Sequence, residues 1–152
     1  MALGISKAFT GKGTVFSIGT SIATPTYTAV AELKTLAFSG SKNDTEDTTN
    51  FDSLGRAKEF AVTLLEAGEI SIAGNYVAAD AGQASFKAAF ASGAVLPFKI
   101  VLPVAPGQVT SGDVMTFIGA VIEDNIDISY DKTLTFAAKV KISGLITYVS
   151  GA

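Results

Sequence analysis

The chain contains no cysteine, no histidine and no tryptophan. Without cysteine it can build neither a disulfide framework nor a thiolate metal site. Without histidine it lacks the commonest general base, the usual partner of a nucleophilic serine and the commonest zinc ligand, which excludes most hydrolase mechanisms. The absence of tryptophan and the scatter of its 4 tyrosines argue against an aromatic platform for sugars. Charge is also scarce: 16% of residues are charged, and the formal net charge is −3. Lys34, Lys42, Arg56, Lys58, Lys87, Lys99, Lys132, Lys139 and Lys141 are dispersed without an aromatic-studded basic groove, so tight capture of nucleic acid through its phosphates is not expected. No apolar run approaches membrane-spanning length, and the first residues lack the basic and apolar segments of a secretory signal. Synthesis in a cytoplasm is the expectation.

What is present is apolar: 48% of the 152 residues, a high share for a monomer in water. Ala and Gly account for part of it, and surfaces covered by neighbouring molecules are the other reading. A chain of this length supports one well-buried core and reads as a single domain over residues 14–152. The strongest local signal lies near the end, where Leu134, Phe136, Ala138, Val140 and Ile142 alternate with Thr135, Lys139, Lys141 and Ser143. A period of two marks a strand with one wet face. Its length suggests a sheet that continues beyond one molecule.

Residues 1–13 are small, Gly-bearing and weakly patterned, the mark of a flexible N-terminal arm. A short strand follows at 14–19, and strand pattern resumes over 28–39, with a short helix over 29–35 as the alternative. Residues 40–57 then change character, with several acidic and few apolar side chains, and read as a long exposed polar loop. Its two apolar anchors, Phe51 and Leu54, either dock on a neighbouring subunit or fold back on their own core. Residues 60–65 and 69–77 read as two strands joined in a hairpin-like junction at Ala67-Gly68. Asp80 followed by Gln83 marks the start of a helix over about 80–92, which Gly93 stops. Residues 96–103 and 114–122 read as strands, the second apolar on both faces and so expected between two layers. Glu123-Asp124-Asn125 reads as the turn before the last strands. The fold class is therefore mainly β: a β-sandwich or barrel-like core of about eight strands with one flanking α-helix.

The carboxylates of Asp44, Glu46, Asp47 and Asp52, and those of Glu123, Asp124 and Asp127, sit among turn-forming residues where solubility accounts for them. Asn43-Asp44-Thr45-Glu46-Asp47 offers oxygen ligands at alternating spacing but lacks the glycine and distal glutamate of a calcium loop. Gly11-Lys12-Gly13-Thr14 misses the spacing of a phosphate loop. No catalytic group, cofactor or metal is implied. Lys139 and Lys141 share a strand face and read as solubility charges, an edge guard or inter-subunit ion-pair partners.

The order of elements is nevertheless specific. Val30-Ala31-Glu32-Leu33, Asp47-Thr48-Thr49, Asp52-Ser53-Leu54-Gly55-Arg56 and Leu65-Glu66-Ala67-Gly68-Glu69-Ile70 are followed by Asn75-Tyr76 and the Gln83 helix. Then come Phe98-Lys99-Ile100-Val101-Leu102-Pro103, Phe117-Ile118-Gly119 and Ser143-Gly144. Over about residues 14–147 this succession resembles the major tail tube proteins of long, non-contractile tailed phages.

The resemblance implies a structural virion protein whose copies form hexameric rings stacked into a hollow tube, with four strands per subunit lining the bore. At roughly 4.8 Å between strands and a tilt of roughly 40°, such a ring is about 45–50 Å across at the backbone, with room for double-stranded DNA that passes without specific binding. The polar loop would reach across to adjacent subunits or the next ring, making Asp47, Thr48, Thr49, Phe51, Asp52, Leu54 and Arg56 subunit-contact candidates alongside Lys139 and Lys141. Tail-tip, tape-measure and terminator proteins are the further partners implied. A tube subunit of a contractile injection or secretion machine is the alternative, followed by a monomeric β-sandwich binding module.

Overall fold

The computed structural model describes residues 6–152. The expected arm therefore falls partly outside the described residues; its remainder, 6–13, has no strand or helix and is exposed. Nine strands and one helix follow: β1 (Val15–Gly19), β2 (Tyr27–Ala29), β3 (Leu33–Phe38), β4 (Lys42–Asp47), β5 (Phe60–Glu66), β6 (Glu69–Asn75), α1 (Ala81–Ser92), β7 (Val95–Val101), β8 (Val114–Asp127) and β9 (Thr135–Val149). Seven strands form one antiparallel sheet in the order β2-β1-β7-β8-β9-β6-β3, and β4 and β5 form a separate pair.

The seven-stranded sheet curls on itself. Three strand spacings separate β3 from β8 in the sheet order, about 14 Å if flat. Yet the rings of Phe38 on β3 and Phe117 on β8 meet edge to face at 6.4 Å between centroids. Curling gives the barrel-like core expected from the sequence. Phe117 stacks on Phe98 of β7 at 5.5 Å, Phe98 on Phe16 of β1 at 5.9 Å, and Phe86 of α1 tilts against both Phe16 and Phe98 at 5.7 and 5.8 Å. Aromatic pairs at these distances add to the burial of the rings themselves. On β9, Phe136, Ala138, Val140 and Ile142 are all buried, as their alternation requires.

Helix α1 begins where the capping signal lies. The Asp80 carboxylate accepts from the Gln83 N–H at 2.9 Å, and Gly93 closes the helix at φ 67°. The Gln83 side chain does not return to the cap. It is buried, and its amide accepts from Val77 N–H (2.9 Å) and donates to the carbonyls of Asn75 (2.9 Å) and Ala31 (3.2 Å). Gly82 touches the β2 backbone so closely that a Cβ there would collide with the Ala29 carbonyl oxygen and lie 2.7 Å from Val30 Cα. Helix propensity favours alanine over glycine by about 1 kcal/mol. Backbone atoms cannot swing aside as a side chain can, so Gly82→Ala is expected to lower stability by about 1–3 kcal/mol, read as a fall in thermal midpoint.

Several expectations are corrected. The run 28–39 is not one strand: β2 pairs with β1 at one edge and β3 with β6 at the other. Between them Glu32 adopts φ 56°, and the Asp80 carboxylate holds the Ala31 N–H at 3.2 Å. The polar loop is strand over Lys42–Asp47. Strands β5 and β6 do not pair with each other. Phe38 faces Ile70, and four residues on Lys42 faces Glu66, so β3-β4 and β5-β6 are the two sides of one long ribbon, interrupted around Gly40 and Gly68. Both glycines have positive φ, which lets the outer half of the ribbon leave the sheet. Glu123-Asp124-Asn125 lies inside β8, where Glu123 and Asn125 point to the wet face, which accepts polar residues as readily as a turn does. Finally, β8 is not buried on both faces: Phe117 and Val121 are buried, whereas Ile122 is exposed.

After β9, the Ala152 carbonyl oxygen accepts from the N–H groups of Val109, Thr110 and Ser111 at 2.8, 2.8 and 3.2 Å. Asp113 accepts from Gly151 N–H (2.8 Å) and the Gln108 amide (2.6 Å), and these bonds hold its carboxyl below the usual range.

Candidate assembly surfaces

Two parts of this fold are left incomplete. The first is the β4-β5 ribbon, every residue of which is exposed. Its register shifts between Asn43↔Leu65 and Thr45↔Val62, so the bulge brings Leu65 onto the face that carries Val62 and Phe60. Those three are 47%, 58% and 68% exposed, an apolar stripe on β5 opposite the polar Asn43, Thr45 and Asp47 of β4. A free two-stranded ribbon with an apolar face is marginal by itself in water. As strand, β4 sends Asp44 and Glu46 to one face and Asp47 to the other, so these carboxylates do not converge on an ion.

The tip beyond β4 is ordered by its own polar groups. Thr48 N–H donates to Glu59 O at 3.0 Å, Asp52 N–H to the Asn50 side chain at 2.8 Å, and Ser53 Oγ to the Glu59 carboxylate at 2.8 Å. The Thr49 side chain, and then its N–H at 2.9 Å, hold the Asp47 carboxyl below its ordinary value. Phe51, Asp52, Leu54 and Arg56 are all exposed, and Phe51 and Leu54 are not folded back on the core. The sequence candidates from Asp47 to Arg56 thus lie together at the far end of the ribbon, while the β5 stripe was not among them.

The second incomplete part is the four-strand section β8-β9-β6-β3. Its wet face is laid out in rows across the strands: Thr35, Ala73, Ala137 and Asn125 in one, and Ala37, Ser71, Lys139 and Glu123 in the next. Small side chains leave two adjoining shallow depressions along these rows. Lys139 and Lys141 sit on this face, on a strand flanked on both sides, so neither guards an edge. Lys139 Nζ lies 3.2 Å from the Glu123 carboxylate and Lys141 Nζ 3.9 Å from that of Glu66.

The edges of this section are open on both sides. β3 is the last strand of the sheet. β8 pairs with β7 only from Val114 to Ala120, so among the described residues no strand lies beside 121–127 on the side away from β9. The opposite margin of the sheet is blunted: β2 has three residues and follows Pro25 closely.

The sheet section is thus open at two different edges, with a polar face and a protruding apolar ribbon. The sequence matches the family described as lambda phage tail tube protein over residues 7–148. The chain belongs to the lambda phage tail tube protein family. It is accordingly a structural, non-enzymatic component of the virion tail. No curated protein matches its sequence. Among solved structures it is similar to the tail of an empty gene transfer agent particle determined with C6 symmetry, at 18% identity and TM-score 0.71 over 94% of this chain and 100% of that one. It is also similar to the SPP1 tail tube, at 14% identity and TM-score 0.66 over 95% and 80% of the two chains. A chain of the anti-feeding prophage baseplate has 8% identity and TM-score 0.70 over 96% and 98%. At these identities the likenesses establish a shared fold.

Proposed function

We propose that six copies of this chain close into a ring through sheet continuation, and that the rings stack into the hollow tube through which double-stranded DNA leaves the particle. The observation that carries the proposal is the pair of open edges flanking the β8-β9-β6-β3 section. β3 runs antiparallel to β6, β6 to β9 and β9 to β8, so β3 of one copy beside 121–127 of the next continues the alternation. The two edges differ, which makes the contact heterologous, and a heterologous contact closes into a ring when its rotation permits. The C6 symmetry of the gene transfer agent tail supports six. Closure satisfies backbone groups that an open edge would offer to any passing strand.

In this arrangement the wet face lines the bore and the β4-β5 ribbon, with Asp47, Thr48, Thr49, Phe51, Asp52, Leu54 and Arg56 at its tip, reaches a neighbouring copy. The net charge of −3 suits a bore through which phosphates pass without sticking. Tape-measure, tail-tip and terminator proteins are the partners proposed for the bore and the tube ends. The likeness to the anti-feeding prophage makes a contractile injection machine the second reading, and the family match favours the phage tail tube.

The absence of cysteine makes the edge contact directly testable. One cysteine on the β3 face, at Thr35 or Ala37, is combined with one on β8, at Glu123 or Asn125. In assembled material, mild oxidation should give at least one of these pairs a ladder of cross-linked species up to six copies, and the unassembled protein should give none. Absence of cross-linking from all four combinations in well-formed tubes would rule out the β3–β8 edge.

A further inference from the structure

The wet face of the four-strand section carries a puzzle for a DNA conduit, because two lysines lie in the middle of it, with Lys34 at its β3 edge. Lys139 and Lys141 share a face of β9 with Ala137 and Ser143 and alternate with the buried Ala138, Val140 and Ile142, so their side chains point out of the core. A free ammonium group repeated in every copy around a bore would bind phosphate, and each such contact adds to the affinity through counterion release. Neither lysine is free. Lys139 lies across from Glu123 on β8, at 3.2 Å, and from Ser71 on β6. Lys141 lies across from Glu69 on β6 and reaches Glu66 at the root of the ribbon, at 3.9 Å. Asp127 adds a further carboxylate at the end of β8 that faces Thr135. With side chains about half exposed, these pairs contribute little to the stability of the fold.

We propose that Glu66, Glu69 and Glu123 act as charge guards: they occupy Lys139 and Lys141, so that β9, in the middle of this face, offers no free cation to the phosphates of duplex DNA. The inference rests on the reading that the face lines the bore. The lysines serve in return. A face bearing only the carboxylates would repel its own copies around a closed ring, and two ammonium groups per copy relieve that repulsion. The arrangement is acidic enough to repel a polyanion and balanced enough to assemble.

The test compares tubes of the native chain with tubes of the Glu66→Gln, Glu69→Gln, Glu123→Gln variant, assembled in the presence of a short fluorescent DNA duplex and then sedimented. The variant tubes should retain about tenfold more duplex than native tubes at low salt, and the retention should fall steeply as salt rises. Adding Lys139→Gln and Lys141→Gln should abolish it, whereas Lys12→Gln and Lys132→Gln, the same change of net charge elsewhere, should not. Equal retention by native and variant tubes would overturn the proposal, as would retention that survives loss of Lys139 and Lys141. Should the variant not assemble, fluorescence anisotropy of the same duplex with unassembled protein decides by the same comparisons. Native protein that forms neither rings nor tubes would count against the tube reading, and the anisotropy result would still judge the guards.

Discussion

Replacing Phe60, Val62 and Leu65 together by serine should leave the fold intact and abolish tube formation. All three side chains are about half exposed or more, and none belongs to the core, so the folded monomer gives up little when they are lost. Far-ultraviolet circular dichroism and the thermal midpoint should stay close to native. Assembly is another matter. If the ribbon lies on a neighbour, each side chain removed forfeits about 1–2 kcal/mol of apolar burial, a discount on the value for full burial because part of each is already covered. The sum, about 3–6 kcal/mol per contact, corresponds to roughly a hundredfold to ten-thousandfold rise in the concentration needed for assembly. Sedimentation and negative-stain microscopy over that range read it directly. Tubes formed at the native concentration would remove the stripe from the interface. The companion change, Phe51→Ser with Leu54→Ser, separates the tip from the shaft: a comparable loss places the contact along the whole ribbon, and no loss confines it to β5.

The stripe was hard to find in the sequence for a physical reason. Alternation over 60–65 signals a strand with one apolar face, and the ordinary partner for such a face is the chain's own core. Nothing within those residues says that the face is turned away from it. The informative residues are elsewhere: β4, which pairs with β5, is Lys-Asn-Asp-Thr-Glu-Asp, with no apolar side chain to bury. A strand that polar forms only because the β3-β6 register runs on into it, so local pattern reads it as loop. The tip residues stood out because polar, turn-forming composition is a local property. They mark where the ribbon ends and leave open which of its faces is apolar.

Elsewhere legibility tracked one-sided burial. Strand β9 was readable because half of it faces the core and half faces water, and α1 because Asp80 and Gly93 cap it with local chemistry. The continuation of β8 through Glu123-Asp124-Asn125 was not readable. Glu123 and Asn125 sit on the polar face proposed for the bore, Asp124 on the other face across from Ala138, and all three lie at the edge that no described strand covers, where turn-type residues carry no penalty. The exposed Ile122 beside them belongs to the same surface. Part of the apolar surplus in the composition therefore has a location on the ribbon and around the open part of β8, where a neighbouring copy would cover it; the rest of the exposed apolar side chains are spread from Phe9 to Val149.

The same reasoning makes Gln83 a structural determinant of assembly although it touches no exposed surface. Its amide is the only described side chain that joins α1 at once to Ala31, on the connection that carries the chain from β2 to β3, and to Asn75 at the end of β6. Gln83→Leu keeps the side-chain volume close and strips three backbone groups, the carbonyls of Ala31 and Asn75 and the N–H of Val77, of their partner. A buried backbone group without a partner costs about 1–3 kcal/mol. Partial relaxation at so crowded a site leaves a net loss of about 3–5 kcal/mol, a large share of the roughly 5–15 kcal/mol that holds a domain together. The expected fall in thermal midpoint is about 10 °C or more. Gln83→Glu is the discriminating partner: it keeps the acceptor for Val77 but sets a buried acceptor-only carboxylate against the carbonyls of Ala31 and Asn75, so at neutral pH it should lose at least as much as the leucine variant and recover in acid, where the protonated carboxyl regains a donor. Because the Ala31 connection sets where β3 leaves the helix, the leucine variant should also assemble poorly at temperatures well below its own melting. A leucine variant that melts within two or three degrees of native, with tubes unchanged, would show that the connection is held by Asp80 and the β6 pairing alone.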